Sequence, residues 1–231
     1  GYTLDKDEQV KKAFTYVIDT SGSMSGKPIE QVKEALSYCV KSLAPEDRFN
    51  IIRFSTDIDP LFTDGPVAAD KGNVDKAVDF IDRMKAAGGT NIYDALDEAR
   101  RGAEGLTECL HTIVFLTDGK PTIGTDDTEE IVKGAVGEDP IFVFGVGEDL
   151  NALLLDTLAA KSKAVTKYVK PDQEIEDAIS ALQNKASFPV LTGVKLDFGK
   201  MDVRDVYPRE VPNLFRGDQA LVLGRYRGEG D

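Results

Sequence analysis

The sequence contains few of the residues on which several kinds of site depend. Its 231 residues include two cysteines, one histidine and no tryptophan. Cys39 and Cys109 are too few for a disulfide framework and have no zinc-site spacing. Cys39 falls on an apolar helical stripe, so we expect a buried, inert thiol there. The lone histidine, His111, begins an apolar run and is predicted to lie at a strand edge or on the surface.

Positive charge and long apolar runs are also scarce. The chain has 28 Lys and Arg against 41 Asp and Glu, a net charge of -13 and a sequence pI near 4.6. This balance argues against non-specific nucleic-acid binding, which needs clustered basic residues. No apolar run approaches the roughly 20 residues that cross a bilayer. The start resembles no signal sequence and lacks Met, so we expect a segment of a longer protein.

The composition is that of an ordinary folded domain, with 41% hydrophobic and 30% charged residues. Nearly continuous apolar runs, typical of parallel strands covered on both faces, alternate with amphipathic helical patterns. The predicted strands are FTYVID, FNIIRFS, HTIVFLTD, IFVFGVG and AVTKYV. The helical patterns begin near Ile29, Val74, Ile92, Ile131, Leu154 and Ile175. FNIIRFSTDIDPLF instead predicts an antiparallel edge hairpin.

This alternation predicts a doubly wound α/β fold with a mostly parallel sheet and helices on both faces, over roughly residues 8–186. Such sheets place their sites beyond the carboxyl ends of the strands. We therefore predict one domain over residues 1–186. Residues 187–231 change to short alternating runs broken by Pro and Gly, and they predict a β-rich segment of a second domain.

The stretch DTSGSMSGK, residues 19–27, follows the first predicted strand. A phosphate-binding P-loop is one residue longer and has Ser or Thr where Pro28 stands. A serine nucleophile elbow would centre on serine, but Met24 occupies the middle of Gly22–Gly26. If Asp19 were a phosphate-accepting aspartate, a second carboxylate would be expected two residues later, where Ser21 stands. These three interpretations are therefore disfavoured.

A metal site fits the stretch better. Asp19, Ser21 and Ser23 alternate along an extended turn, so their oxygens can converge on one side. Mg²⁺ prefers such hard oxygen ligands and uses few carboxylates. Thr90, in AAGGTN, and Asp118, in VFLTDGK, follow other predicted elements at the same edge of the sheet. Each also has a plain interpretation, as a helix cap or a turn residue.

The conjunction resembles the metal-ion-dependent adhesion site of von Willebrand factor type A domains, whose pattern is D-x-S-x-S, a threonine, and an aspartate in TDG. The tail YPREVPNLFRGDQALVLGRY is similar to the inter-alpha-trypsin inhibitor heavy-chain-like group. The resemblance implies that Ser21, Ser23 and Thr90 contact the ion directly, and that Asp19 and Asp118 hold it through water or by direct contact. It implies Mg²⁺, with Mn²⁺ or Ca²⁺ possible.

The function that follows from the resemblance is recognition of a Glu or Asp carboxylate on a partner protein. We expect a monomeric, non-enzymatic domain located outside the cell, at its surface or in the periplasm. Two alternatives stay open at this point: a Mg²⁺-dependent phosphoesterase, with Asp126 or Asp127 as base or extra ligand, and a structural spacer. Arg216-Gly217-Asp218 is interpreted as a chance turn sequence. The helix near Asp172–Lys185 is a candidate for movement on ligand binding.

Overall fold

The computed structural model of the chain describes residues 11–118, 120–147, 150–169, 189–191, 194–199, 201–208, 211, 214–215 and 220–227. The chain divides into two compact units, Gly1–Gln183 and Asn184–Asp231. The predicted boundary after residue 186, the predicted last helix and the Arg216-Gly217-Asp218 tripeptide lie outside the described residues. Within these residues, no helix combines the length and apolarity that crossing a membrane requires.

The first unit is built on one seven-stranded sheet. Its strands are β1 (Lys12–Asp19), β2 (Arg48–Phe54), β3 (Ile58–Pro60), β4 (Val67–Ala68), β5 (Leu110–Thr117), β6 (Ile141–Val146) and β7 (Thr166–Val169). They run in the order β3-β2-β1-β5-β6-β7, with β4 also paired to β2. β1 is parallel to both β2 and β5, and β6 and β7 continue in the same direction. The doubly wound, mostly parallel sheet predicted from the sequence is confirmed.

Five helices of this unit connect the strands. They are α1 (Lys27–Lys41), α2 (Lys71–Asp82), α3 (Ile92–Gly102), α4 (Thr128–Ala135) and α5 (Ala152–Lys161). Each buries apolar residues of its predicted stripe, although α2 fully buries only Ala77 and Ile81. Pro28 lies in the first turn of α1, where a missing N–H costs nothing. Two predicted helical stripes run two residues past the helix, because α1 ends at Lys41, before Leu43, and α2 ends at Asp82, before Met84.

The helices cover both faces of the sheet. α3, α4 and α5 join one face in a single core with strand residues such as Val17, Phe115 and Val143. Alternate strand residues point the other way, and Tyr16 among them lies near Cys39 of α1. α1 and α2 contact each other on that side. The central strands are therefore buried throughout, which leaves the strand ends as the place where polar side chains reach solvent.

Two short strands, β3 and β4, pair with β2 on its outer side; the sequence predicted the first and not the second. β3 pairs with β2 as the expected antiparallel hairpin, with Phe54 opposite Ile58. The two-residue strand β4 also pairs with β2, placing Val67 opposite Phe49. Two residues are too few to show any alternation in a sequence, so β4 has no signal of its own.

The described residues of the second unit form two pairs of antiparallel strands. β8 (Pro189–Leu191) pairs with β10 (Leu214–Phe215), and β9 (Asp202–Tyr207) pairs with β11 (Leu223–Arg227). An open, mostly apolar pocket of about 440 Å³ lies on the second pair. The β-rich character predicted for the tail is confirmed. The described residues 194–199 form no strand.

Candidate functional site

Asp19 is the last residue of β1 and is fully buried. One carboxylate oxygen, Oδ1, accepts a hydrogen bond from the backbone N–H of Ser21 at 2.8 Å. The other, Oδ2, accepts one from the Thr117 hydroxyl at 2.6 Å. Thr117 ends the neighbouring strand β5, so this bond joins the carboxyl ends of the two central strands. The carboxylate is thus held in one orientation at the edge of the sheet.

Ser21 and Ser23 bring their hydroxyl groups together directly after Asp19. Their Oγ atoms lie 2.9 Å apart. Ser21 is buried, whereas Ser23 is exposed, so the pair extends from the protein interior to solvent. Gly22–Met24 form one turn of 3₁₀ helix, which turns the chain between the two serines. The two serine oxygens thus meet as the sequence pattern predicts, and the convergence of Asp19 with them on one ion stays a prediction.

Thr90 belongs to the loop between α2 and α3 and is buried. Two backbone hydrogen bonds join this loop to the serine loop: the N–H of Ala87 donates to the carbonyl of Thr20 at 2.8 Å, and the N–H of Gly22 donates to the carbonyl of Gly88 at 3.1 Å. Gly88 has a φ of +84°, a left-handed conformation that favours glycine. Gly88 thus shapes the loop that carries Thr90, and the two hydrogen bonds hold this loop against the serine loop.

Asp118 follows Thr117 and is partly exposed. Its carboxylate is close enough to Asp19 to raise the pKa of that residue. The loop beyond it is fastened to Thr90, because the N–H of Thr90 donates to the Thr122 hydroxyl at 2.8 Å and the N–H of Thr122 donates to the Thr90 carbonyl at 3.0 Å. All three loops that carry the predicted ligands are therefore connected by hydrogen bonds at one edge of the sheet.

The electrostatics of Asp19 favour a cation nearby. Burial raises the pKa of Asp19 from 3.8 to about 6, against the lowering effect of the hydrogen bonds from Thr117 and Ser21. Among the described residues, no lysine or arginine forms an ion pair with Asp19. A buried carboxylate without a positive partner is costly to ionise. A divalent cation bound beside it would remove that cost, so the residues present fit a hard metal ion.

The donor set at this edge contains more hydroxyl than carboxylate groups. No group of three or more His, Cys, Asp or Glu side chains with metal-binding geometry occurs in the part of the chain that the structure describes. An ion at Asp19 would therefore depend on the Ser and Thr hydroxyls for its coordination. Oxygen-only coordination with few carboxylates is the pattern that suits Mg²⁺.

The sequence predicts His111 at a strand edge or on the surface; the residue lies near the start of β5 and is buried there. Its Nε2 is 2.8 Å from the Thr15 hydroxyl, and its Nδ1 is 2.9 Å from Asp139 Oδ2. The buried Thr15 hydroxyl and the Asp139 carboxylate provide hydrogen-bond partners for both ring nitrogens, which explains how a polar residue is accommodated there. The ring lies near the amino end of β5, ~20 Å along the strand from the site. His111 is thus unable to act on a group bound at Asp19.

The carboxylate of Asp127 has a structural role. Asp127 caps α4 by accepting a hydrogen bond from the N–H of Glu130 at 2.8 Å, and the Thr125 hydroxyl donates to Glu130 at 2.8 Å. Such caps satisfy N–H groups that the helix itself leaves unpaired. The interpretation of Asp127 as a helix N-terminal residue is confirmed, and its use as a catalytic base loses support.

Two contributors to the site were not predicted from the sequence. Thr117 orients Asp19, and Thr122 fastens the third loop to Thr90. Thr117 had one available signal, since it directly precedes Asp118 at the end of an apolar run. Thr122 had none, because its partner is 32 residues away in the sequence.

Comparisons with known proteins identify the family. Residues 13–166 match the model of the von Willebrand factor type A domain. The human inter-alpha-trypsin inhibitor heavy chain H4 is 33% identical over 230 residues, which are 95% of this chain and 25% of that protein. This chain thus spans about a quarter of the length of the curated relatives it matches.

Two solved structures show the same fold. A von Willebrand factor type A protein from Catenulispora acidiphila has a TM-score of 0.72 and 20% identity, over 78% of this chain and 43% of that one. Proximal thread matrix protein 1 from the mussel byssus, with a zinc-occupied MIDAS motif, has a TM-score of 0.58 and 19% identity, over 76% of this chain and 48% of that one. The chain belongs to the von Willebrand factor type A domain family and is similar to the inter-alpha-trypsin inhibitor heavy chains.

Proposed function

We propose that this domain binds a divalent cation, Mg²⁺ in the first instance, and uses it to recognise an acidic side chain of a partner protein. The single observation that carries the proposal is the pair of Ser21 and Ser23 hydroxyls, 2.9 Å apart, in the loop that directly follows the buried Asp19. The proposed ligands are the five residues of the sequence pattern: Asp19, Ser21, Ser23, Thr90 and Asp118.

The neutral hydroxyls of Ser21, Ser23 and Thr90 would contact the ion. Asp19 already accepts hydrogen bonds at both oxygens, which suits a carboxylate that acts on the ion through water. Asp118, which is more exposed, would contribute in the same way. An ion held mostly by neutral ligands keeps more of its positive charge. It therefore attracts a further carboxylate, which a partner's Glu or Asp would supply.

Binding is favoured over catalysis because two candidate bases, His111 and Asp127, are engaged in structural contacts. The one histidine is occupied near the other end of β5, and Asp127 caps a helix. The zinc-occupied motif in the mussel protein supports a divalent ion in this fold. Mg²⁺, a monomeric state and a location outside the cytoplasm stay predictions for this chain.

Calorimetric titration with Mg²⁺, Mn²⁺, Ca²⁺ and Zn²⁺ tests the metal site. We expect saturable binding of at least one ion and its loss in Ser21→Ala/Ser23→Ala. Ser25→Ala is the matched control, because this exposed serine lies in the same loop outside the proposed ligand set. Equal binding by the parent and the double variant would contradict the proposal, as would the absence of binding by the parent.

Recognition of a partner is tested separately from metal binding. Extracellular proteins would be captured on the immobilised domain in the presence of Mg²⁺ and released with EDTA. We expect a set of captured proteins that the double serine variant fails to retain. Capture that is indifferent to EDTA would mean that the ion takes no part in recognition. Metal-dependent turnover of phosphoesters, abolished by Asp118→Ala, would favour the enzymatic alternative.

A further inference from the structure

Ile123 places an exposed apolar side chain beside Thr90. Its exposure is 36%, and it lies in the loop between β5 and α4. Four loop segments surround the proposed ion site: residues 19–26, 55–57, 85–91 and 120–127. Among their described residues, Ile123 is the one exposed large hydrophobic side chain, since Met24 is buried. The other exposed side chains around it are mostly small or polar, such as those of Ser23, Thr56 and Thr122.

Packing and backbone hydrogen bonds fix the position of this side chain. The N–H of Ile123 donates to the Thr90 carbonyl at 3.2 Å, next to the bond from Thr122. The side chain lies against Gly89, where an added Cβ would meet Ile123 Cγ1 at 2.6 Å. The residue that precedes a proposed ligand is thus a glycine whose missing side chain makes room for an isoleucine. Scattered exposed isoleucines are ordinary on protein surfaces. This isoleucine, however, is packed against Gly89, the residue directly before Thr90.

We propose that Ile123 is a specificity contact, and that the partner presents its carboxylate next to an apolar side chain that packs on Ile123. This inference rests on the proposed function, because the carboxylate must reach an ion at Ser21 and Ser23. Apolar contact beside a polar anchor buries hydrocarbon surface and keeps water away from the anchor. The ion selects for acidity, and Ile123 selects among acidic sequences.

A random 12-residue peptide library displayed on phage tests the inference. The library is bound to the immobilised domain in Mg²⁺ and eluted with EDTA, in parallel for the parent, Ile123→Ser and Leu110→Ser. Leu110 is the matched control: it is 38% exposed and begins β5, at the opposite edge of the sheet. Calorimetry with Mg²⁺ alone checks that all three proteins bind the ion equally.

We expect parent clones to contain Asp or Glu with an aliphatic or aromatic residue within two positions. Ile123→Ser clones would keep the acid and lose the apolar enrichment, and Leu110→Ser clones would match the parent. A synthetic peptide from a parent clone would bind Ile123→Ser about tenfold more weakly. Acidic clones without apolar enrichment in the parent, or enrichment that survives Ile123→Ser, would overturn the inference alone. No EDTA-eluted clones, or no Mg²⁺ binding by the parent, would overturn the proposed function and this inference with it.

Discussion

The Tyr16 hydroxyl is the one buried side-chain polar atom in the described part of the chain that has no hydrogen-bond partner. Its ring is completely buried in β1, and this burial raises the pKa of the phenol well above its usual value. An unpaired buried hydroxyl costs ~1–3 kcal/mol. We therefore expect Tyr16→Phe to increase the free energy of unfolding by ~1 kcal/mol, measured by urea denaturation. Tyr38→Phe, at a half-exposed tyrosine, should change it little. A loss of stability in Tyr16→Phe would contradict this expectation.

Asp19 makes the stability of the metal-free protein depend on pH. Its pKa is raised from 3.8 to about 6, mainly by burial. For an acid whose pKa is higher in the folded state, the favourable contribution is complete below the unfolded pKa and is lost as the pH rises through the folded pKa. Above pH 6, the metal-free fold thus carries an ionised buried carboxylate at a cost of ~3 kcal/mol at most.

Asp19→Asn removes that charge and keeps the shape of the side chain. In EDTA at pH 7.5, we expect the variant to be more stable than the parent by ~2 kcal/mol, and the difference to disappear below pH 4. In saturating Mg²⁺ the order should reverse, because the variant loses the stabilisation that a bound ion provides. Chemical denaturation across pH measures both effects, with Asp64→Asn at an exposed position as control. A variant less stable than the metal-free parent at pH 7.5 would refute this explanation.

The contacts of single residues could be predicted only where the interacting residues are close together in the sequence. Ser21 and Ser23 lie two positions apart, so the approach of their hydroxyls follows from the turn that the sequence predicts. The surroundings of His111 come from Thr15 and Asp139, which are 96 and 28 residues away. A local pattern therefore assigned His111 to a strand edge or the surface, while the fold buried it.

The loop between α2 and α3 depends on Gly88, the residue whose left-handed backbone directs the chain toward Thr90. An alanine there would combine a strained φ of +84° with a Cβ 2.9 Å from the Thr56 hydroxyl. We expect Gly88→Ala to cost ~1–3 kcal/mol of stability and to weaken Mg²⁺ binding, because Thr90 and the loop bond to Gly22 would shift. Thermal unfolding and calorimetric titration measure the two effects.

Gly105→Ala provides the control for Gly88→Ala. Gly105 has a nearly identical φ of +88°, yet an added Cβ there meets nothing within 4 Å. It lies between α3 and β5, before the amino end of β5. The two variants should thus share the backbone strain, and only Gly88→Ala should alter the affinity for Mg²⁺. Equal affinities in the two variants would show that this loop does not set the geometry of the site.

At the scale of elements, the period of the apolar residues was sufficient for the long strands of the sheet and for the five described helices of the first unit. Strand runs of six to eight apolar residues and helical stripes of several turns are long enough to establish a period. The helix ends were less accurate, because Leu43 and Met84 continue an apolar stripe beyond the last helical residue. β4 was not predicted because it has only two residues, which cannot establish a period.

In the first unit as a whole, a stabilising network and the proposed ion site lie at opposite ends of the central strands. The network of Thr15, His111 and Asp139 joins β1, β5 and the segment before β6 near their amino ends. We expect His111→Ala to lower the free energy of unfolding by ~2–4 kcal/mol, through lost packing and an unpaired Thr15 hydroxyl. Its affinity for Mg²⁺ should equal that of the parent, because distant sites contribute independently. Weakened Mg²⁺ binding in a folded His111→Ala protein would contradict this separation.

The connection between Asp19 and Thr117 also has a mechanical consequence. The proposed ion site lies at the ends of β1 and β5, the two strands at the centre of the sheet, and β1 pairs over seven residues with each of its neighbours. A pull on a bound partner would therefore enter the domain along the strand axes and load these ladders in shear. Many hydrogen bonds would then have to break together, whereas a site on the outermost strand would let them open one at a time. The proposed binding site thus lies where the sheet would best resist mechanical unfolding.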